Sequence, residues 1–419
     1  MRTILHIDFN SYFATVEQQA NPRLRGKPVG VTGGDRMKRT VIGAASVEAK
    51  KFGVKTGMQI WEAKKLCPNI ILVNGDSDKY LETTRCFLNI LKNYTPYVEV
   101  FSIDECFLQL YETRDPIRIA QEIKRRIRSE IGEWMQCSIG ISYNKLMAKL
   151  AGSLQKPDGL VIIANQEEAI KVLDRIELDD ICGIGYRTAK RLNNMGIFNF
   201  ATLRKVPLQA LLASHKSYGQ VLFNMARGID ESTLIPFYEK EEVKSIGHRH
   251  TIDHDTGNEI EIKQILLKLS ELVARRLRAK KLVGKTVSVW FRYAYTHLRG
   301  EKMQLHLGGV IFRGDSMQTT IQYTNDGLEI FQAGWTILHQ IWNGGRIRMV
   351  GVSIANLRSQ IPETLSLLPE IKKQEIIIKA IDKVNDKFGE FTLQRGILLD
   401  STKITRKANS FLSDRRFKL

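Results

Sequence analysis

The chain has 419 residues, 43% hydrophobic and 26% charged, enough for about two to four domains with buried cores. Lysine and arginine number 63 against 45 aspartates and glutamates, a formal net charge of +18 that points to a polyanion: nucleic acid or an anionic membrane. No apolar run approaches the roughly 18 residues of a spanning helix, no signal peptide is visible, and five scattered cysteines without a C-x-x-C pair argue against disulfides and zinc and for a reducing cytoplasm.

An apolar strand, Thr3–Phe9, carries a carboxylate, Asp8, near its end. Asn10 or Ser11 is placed to cap a following helix. The adjacent aromatics Tyr12 and Phe13 read either as core or as the wall of a sugar or base site. Val98 to Leu110 reads as strand–turn–strand, with Ser102-Ile103-Asp104-Glu105 at the turn. The order from 98 to 163 is then β, α, β, α, β. A helix over Pro116–Ile131 has isoleucines at helical spacing, Cys137–Ser142 is a strand, Asn144–Leu154 a helix, and Leu160–Ile163 a strand. Leu173–Leu212 is helix-rich. Within it, Cys182-Gly183-Ile184-Gly185 precedes a helix at Tyr186–Met195 that Gly196 stops. This reads as a helix-hairpin-helix, whose glycines let backbone N–H groups approach a DNA phosphate, or as a plain turn.

Pro236–Val243 is charged and aperiodic, a linker. Beyond it come strand Lys244–Ile252, helix Ile260–Lys281, strands Lys285–Tyr293 and Met303–Phe312, helix Gly327–Trp342 and strand Arg346–Asn356. That β-α-β-β-α-β order is a split-βαβ, ferredoxin-like arrangement in a separate domain. Arg275, Arg276, Arg278, Lys280, Lys281 and Lys285 cluster at a helix end and the next loop, more cations than the helix dipole needs, and suit phosphate contact. The tail has one helix, Lys372–Phe388, and a basic end.

Asp8, Asp104 and Glu105 on strand ends suit two divalent ions, and two ions suit phosphoryl or nucleotidyl transfer. The alternative is a solvated hairpin turn and a helix cap. Spacing alone does not bring Asp8 to Asp104.

In combination and order, Ile7-Asp8-Phe9-Asn10-Ser11-Tyr12-Phe13-Ala14-Thr15-Val16-Glu17, SVEAKKFGVKTGM (46–58), Ser102-Ile103-Asp104-Glu105, GISYNKLMAK (140–149) and Lys156-Pro157-Asp158-Gly159 resemble the Y-family translesion DNA polymerases, closest to the bacterial DNA polymerase IV and UmuC-like branch. The likeness extends to Lys244-Ser245-Ile246-Gly247 and to Met349 through Leu357, and covers residues 1–357. It implies an α+β right-hand polymerase with a ferredoxin-like palm (1–10 and 77–165), small fingers (11–76), a helix-hairpin-helix thumb (166–235), a linker (236–243), a β-α-β-β-α-β little finger (244–357) and a tail (358–419).

By this resemblance Asp8, Asp104, Glu105 and the Phe9 carbonyl would hold two Mg²⁺ ions, with Mn²⁺ able to substitute. Phe13 falls on the steric-gate position that excludes ribonucleotides, with Tyr12 supporting the sugar pocket. Lys156 would contact the triphosphate. The family's Tyr-x-x-Arg on the triphosphate reads Val47 and Lys50 here, losing a hydroxyl and a bidentate fork, which implies weaker nucleotide binding. Gly183 and Gly185 would meet DNA backbone, and the cluster at Arg275 to Lys285 would grip duplex. Thr364-Leu365-Ser366-Leu367-Leu368 is an incomplete sliding-clamp peptide, with Leu365, Leu367 and Leu368 as its anchors. The expected protein is a cytoplasmic, monomeric, low-fidelity enzyme without proofreading, acting on primer-template DNA and deoxynucleoside triphosphates. Its rivals are a two-metal nuclease and a catalytically weakened DNA- or clamp-binding accessory protein.

Overall fold

The computed structural model describes residues 3–33, 40–111, 115–239, 242–294, 314–360, 369–389 and 391–399. They form two compact units, one within Met1–Lys240 and one within Glu241–Ser413.

The first unit runs β1 (Thr3–Phe9), α1 (Tyr12–Ala20), β2 (Val29–Thr32), β3 (Ile42–Ala45), α2 (Val47–Lys51), α3 (Ile60–Leu66), β4 (Ile71–Asn74), α4 (Ser77–Lys92), β5 (Val98–Val100), β6 (Glu105–Leu110), α5 (Pro116–Arg126), β7 (Cys137–Ser142), α6 (Lys145–Leu154) and β8 (Leu160–Ile163). Five helices follow: α7 (Gln166–Leu173), α8 (Tyr186–Asn193), α9 (Phe200–Lys205), α10 (Leu208–His215) and α11 (Tyr218–Met225). Strand β1 is the middle of a five-stranded sheet, β5-β6-β1-β7-β8, which accounts for its nearly continuous apolar run. It pairs antiparallel with β6 and β7, and the register sets Asp8 opposite Glu105 on one side and Ser138 on the other. The helix expected over 116–131 is α-helical to Arg126 and then opens into a wider turn, Ile127–Ile131.

Two glycines let α6 lie close on this sheet. A Cβ on Gly140 would overlap the Ala148 carbonyl and the Gly152 amide, and one on Gly152 would sit 3.1 Å from His6 Nδ1. Asn144 caps α6 by accepting from the Met147 amide at 2.8 Å. A second, three-stranded sheet, β3-β2-β4, packs with α2 and α3 around Ile42, Ala49, Val54, Ile60 and Ala63. The helices α7–α11 pack around Leu173, Ile184, Leu192, Phe200 and Leu222, a core continuous with Met147, Leu150 and Ala151 of α6 and Ile163 of β8.

The second unit runs β9 (Ser245–Thr256), α12 (Glu259–Ala279), β10 (Leu282–Tyr293), β11 (Gly314–Thr324), α13 (Gly327–Ile341), β12 (Ile347–Ala355), a short β13 (Arg358–Ser359) and α14 (Pro369–Phe388). The sheet order is β11-β10-β12-β9, all pairs antiparallel, so β9 and β10 are parallel with β12 between them, a split βαβ. The third strand expected at 303–312 falls outside the described residues, and β10 pairs with Gly314–Thr324 on one side and with β12 on the other.

Candidate active site

The turn between β5 and β6 is folded back on itself: the Phe101 and Ser102 amides both donate to the Glu105 carbonyl, at 3.1 and 3.0 Å. The Phe9 amide donates to the Asp104 carbonyl at 3.0 Å, joining the end of β1 to this turn. Ser102 Oγ donates to the Asp104 carboxylate. Asp8, Asp104, Lys50 and Lys156 line one open cleft of about 590 Å³. Glu105 is turned differently. Its Oε2 accepts from His6 Nε2 at 2.9 Å and from Lys149 Nζ, and ligand atoms of His6, Asp8 and Glu105 all lie within 4.8 Å of one another. A carboxylate can only accept, so His6 carries its proton on Nε2.

These surroundings drive adjacent carboxyls apart. Burial, with Asp8 and Glu105 adding like charge, pushes Asp104 up to about 6 against the opposing Ser102 hydrogen bond. Burial also opposes Glu105 ionisation, but the His6 hydrogen bond and the Lys149 charge outweigh it and hold Glu105 down at about 2. Burial lowers His6, and burial with Lys156 lowers Lys50. The carboxylates of Asp8, Asp104 and Glu105 offer oxygen donors of like charge, which suit hard divalent cations.

Asn10 positions the basic wall. Its Oδ1 accepts from the Asp158 amide at 2.8 Å and its Nδ2 donates to Ser138 Oγ at 3.1 Å, so the loop after α6 is tied to the end of β1. Lys124, at 3.1 Å, and Arg128 hold Asp158 from α5 and the turn beyond it. Lys156 Nζ then reaches Asp8 Oδ1 at 2.9 Å. Ser11 is the residue before α1, in a left-handed conformation (φ 52) and with no side-chain cap.

The aromatics divide the two readings left open for them. Tyr12 is 3% exposed, and its hydroxyl is spent on the Tyr80 carbonyl and Thr84 Oγ1, both at 2.8 Å. It is core, offering the cleft only its lining surface. Phe13 is half-buried and stacks on Tyr80 with centroids 4.5 Å apart and planes at 16°. Tyr80 is fixed in turn by its hydroxyl on buried Glu17 at 2.8 Å, which Lys79 also pairs at 2.8 Å. Val47, like Phe13, lines the cleft and brings no hydrogen-bonding group to it.

Comparison with known proteins decides what this cleft belongs to. Residues 7–153 match the impB/mucB/samB family, residues 243–367 its C-terminal domain, and residues 179–230 the DNA polymerase-iota thumb domain. The chain is 36% identical over 96% of its length to DNA polymerase IV of Pelotomaculum thermopropionicum, covering 97% of that protein. It is 31% identical over 99% of its length to DNA polymerase IV 1 of Bacillus subtilis, covering 97% of it. The chain belongs to the Y family of DNA polymerases. A solved Y-family DNA polymerase chimera of Dbh and Dpo4 shares the fold at TM-score 0.69 and 23% identity, over 85% of this chain and 99% of that one. The α+β right-hand polymerase fold expected from the sequence is thus the fold observed.

Other residues expected to serve this Y-family polymerase are placed as follows. Gly183 (φ 109) turns the chain into α8, its carbonyl accepting from Tyr218 Oη at 2.7 Å, and Gly185 precedes the helix with no atom within 4 Å of where a Cβ would stand. The arginines of the basic cluster have partners within the second unit. Arg278 makes a bidentate pair with Asp382 at 2.6 and 2.7 Å, Arg275 pairs with Asp386, and Arg276 donates to the Gly247 carbonyl at 3.0 Å. These guanidiniums hold α14 and β9 against α12 rather than forming a bare phosphate stripe. Lys285 lies over the Tyr323 ring at 5.4 Å, while Lys280 and Lys281 form the turn from α12 into β10. Leu365, Leu367 and Leu368 fall outside the described residues.

Sequence reading missed His6, Lys149, Asn10 in its loop-holding role, and Tyr80. A histidine two residues before Asp8 on the same strand face was the one available signal.

Proposed function

We propose that this translesion DNA-directed DNA polymerase joins deoxynucleotides to a primer 3′-end at the cleft between Asp8, Asp104 and Lys156, with Asp8, Asp104, Glu105 and the Phe9 carbonyl holding two Mg²⁺ ions or Mn²⁺ in their place. The observation that carries this is the meeting of Asp8 and Asp104 with Lys156 and Phe13 around one cleft. The ions, when bound, lower the pKa of the primer hydroxyl and neutralise charge on the departing pyrophosphate. The chain's own residues do the rest. Lys149 and His6 keep Glu105 ionised. Lys156 and Lys50 face the triphosphate, and Lys156 exchanges Asp8 for phosphate oxygens when nucleotide enters. Phe13, braced by Tyr80, occupies the room a ribose 2′-hydroxyl needs.

The palm, fingers, thumb, linker, little finger and tail take the ranges given above. The five-stranded sheet, the three-stranded sheet, the helices α7–α11 and the four-stranded second sheet support this division. Primer-template DNA meets the thumb at Gly183 and Gly185, and the second unit at Lys280 and Lys281. The sliding clamp takes the peptide at Leu365, Leu367 and Leu368. A monomer in the cytoplasm fits five free cysteines, and no helix of the described residues is long and apolar enough to cross a membrane.

Primer extension with Mg²⁺ on undamaged and abasic templates, beside Asp104→Asn, tests the site. Wild-type protein extends both and the variant neither. Extension surviving the substitution overturns the assignment, and template cleavage without nucleotides would restore the nuclease reading.

A further inference from the structure

Trp61 is 62% exposed on α3, outside the core that α3 builds with β3. Exposing so large an aromatic costs apolar burial, yet this one is held in place. Its Nε1 donates to Gln59 Oε1 at 2.8 Å, and the Gln59 amide is fixed by Glu62 Oε2 at 2.9 Å. Lys64 and Lys65, both exposed, stand three and four residues on, so they share its helix face. Glu62, the nearby acid, is spent on the capping box.

The patch is tied to the strand that lines the cleft. Gln59 bridges to Val41, itself 43% exposed, and the Gly57 amide donates to the Ile42 carbonyl at 2.8 Å. Two and three residues beyond Val41, Gly43 and Ala44 line the cleft, as does Thr56. Two strand residues span only about 7 Å. A rigid aromatic face, edged by lysines, is therefore joined through Gln59 and Val41 to the strand whose next residues line the cleft.

We propose that Trp61 is a stacking platform for the first unpaired template base beyond the one being copied, with Lys64 and Lys65 on the phosphates that follow it. An aromatic face flanked by cations binds single-stranded nucleic acid without regard to sequence, because every base has a π-face and every link a charge. A protein partner would gain the aromatic but would need acidic groups to match the lysines. The proposal rests on the polymerase reading, and its test separates the two, since wild-type extension reports on that reading alone.

The test compares two DNAs by fluorescence anisotropy at fixed salt: a primer-template with an unpaired 5′ template extension, and a blunt duplex of the same paired length. Trp61→Ala is expected to weaken binding of the first about tenfold and leave the second unchanged. Trp61→Phe should keep most of the affinity, and Lys64→Ala should lower the salt dependence for the overhang DNA by about one counterion. A 2-aminopurine at the first unpaired position should brighten when Trp61 is removed. Equal affinity of wild type and Trp61→Ala for the overhang DNA overturns the proposal and hands the patch to a protein partner or to solvent. Equal loss on both DNAs also overturns it.

Discussion

Asp104 and Glu105 are neighbours in sequence and opposites in acidity, near 6 and near 2. Burial opposes ionisation of both, and the difference lies in what each carboxylate meets: a hydroxyl and two like charges for Asp104, an imidazole and an ammonium for Glu105. A carboxyl whose pKa is raised by folding binds its proton more tightly in the folded state. Ionising it therefore opposes folding, by nothing below about pH 4 and by the full amount above about pH 6. We expect Asp104→Asn to raise metal-free stability at neutral pH by about 1–2 kcal/mol while abolishing extension, read as a higher urea midpoint. Adding Mg²⁺ should stabilise the wild type more than the variant. Phe13 gives the second residue-scale expectation: Phe13→Ala should incorporate ribonucleotides, and Phe13→Tyr should still exclude them. Continued exclusion by the alanine variant removes Phe13 as the gate.

At the scale of elements, the site depends on how closely α6 approaches the sheet. Gly152→Ala would put a methyl 3.1 Å from His6 Nδ1 and 3.3 Å from the Gly140 amide, so α6 or His6 must give way and Lys149 retreats from Glu105. The expected cost is about 1–3 kcal/mol in stability, together with a fall in extension rate larger than any change in nucleotide KM. That packing was invisible in the sequence, because Gly140 and Gly152 are ordinary glycines until a helix is laid across a strand. Much else was legible. The carboxylates stood on strand ends in apolar, β-branched runs, and β1, β7 and β8 announced themselves by composition. The hidden contacts were long-range: His6 to Glu105 and Asn10 to Asp158 cross 99 and 148 residues and leave no periodic trace. Gly314–Thr324 escaped for another reason. At the edge of the sheet among the described residues and exposed along most of its length, it carries polar residues that blur the alternation. The pairing of Arg278 with Asp382 and Arg275 with Asp386 was likewise hidden, because charge in a sequence does not reveal a partner about a hundred residues downstream.

The whole molecule comprises two units with separate cores, so its unfolding is expected in two transitions rather than one. Acid should distinguish them. In the second unit His248 lies on β9 opposite Val352, and burial, with Arg276 close by, lowers it to about 4. A histidine with a depressed folded pKa is held neutral. Its contribution is fully present above about pH 6.5 and is lost as pH falls toward 4, by up to about 1.4 kcal/mol per unit. The first unit holds opposed groups: protonating Asp104 relieves a cost over this range, while charging buried His6 adds one. Acidification from pH 7 to 5 should therefore lower the transition of the second unit by several degrees and move the first much less. The assignment can be made by tryptophan fluorescence, with Trp290, Trp335 and Trp342 in the second unit and Trp61 and Trp134 in the first. His248→Gln should flatten the pH response of the second unit without moving the first. A slope unchanged by that substitution would mean that another group governs the acid sensitivity of the second unit.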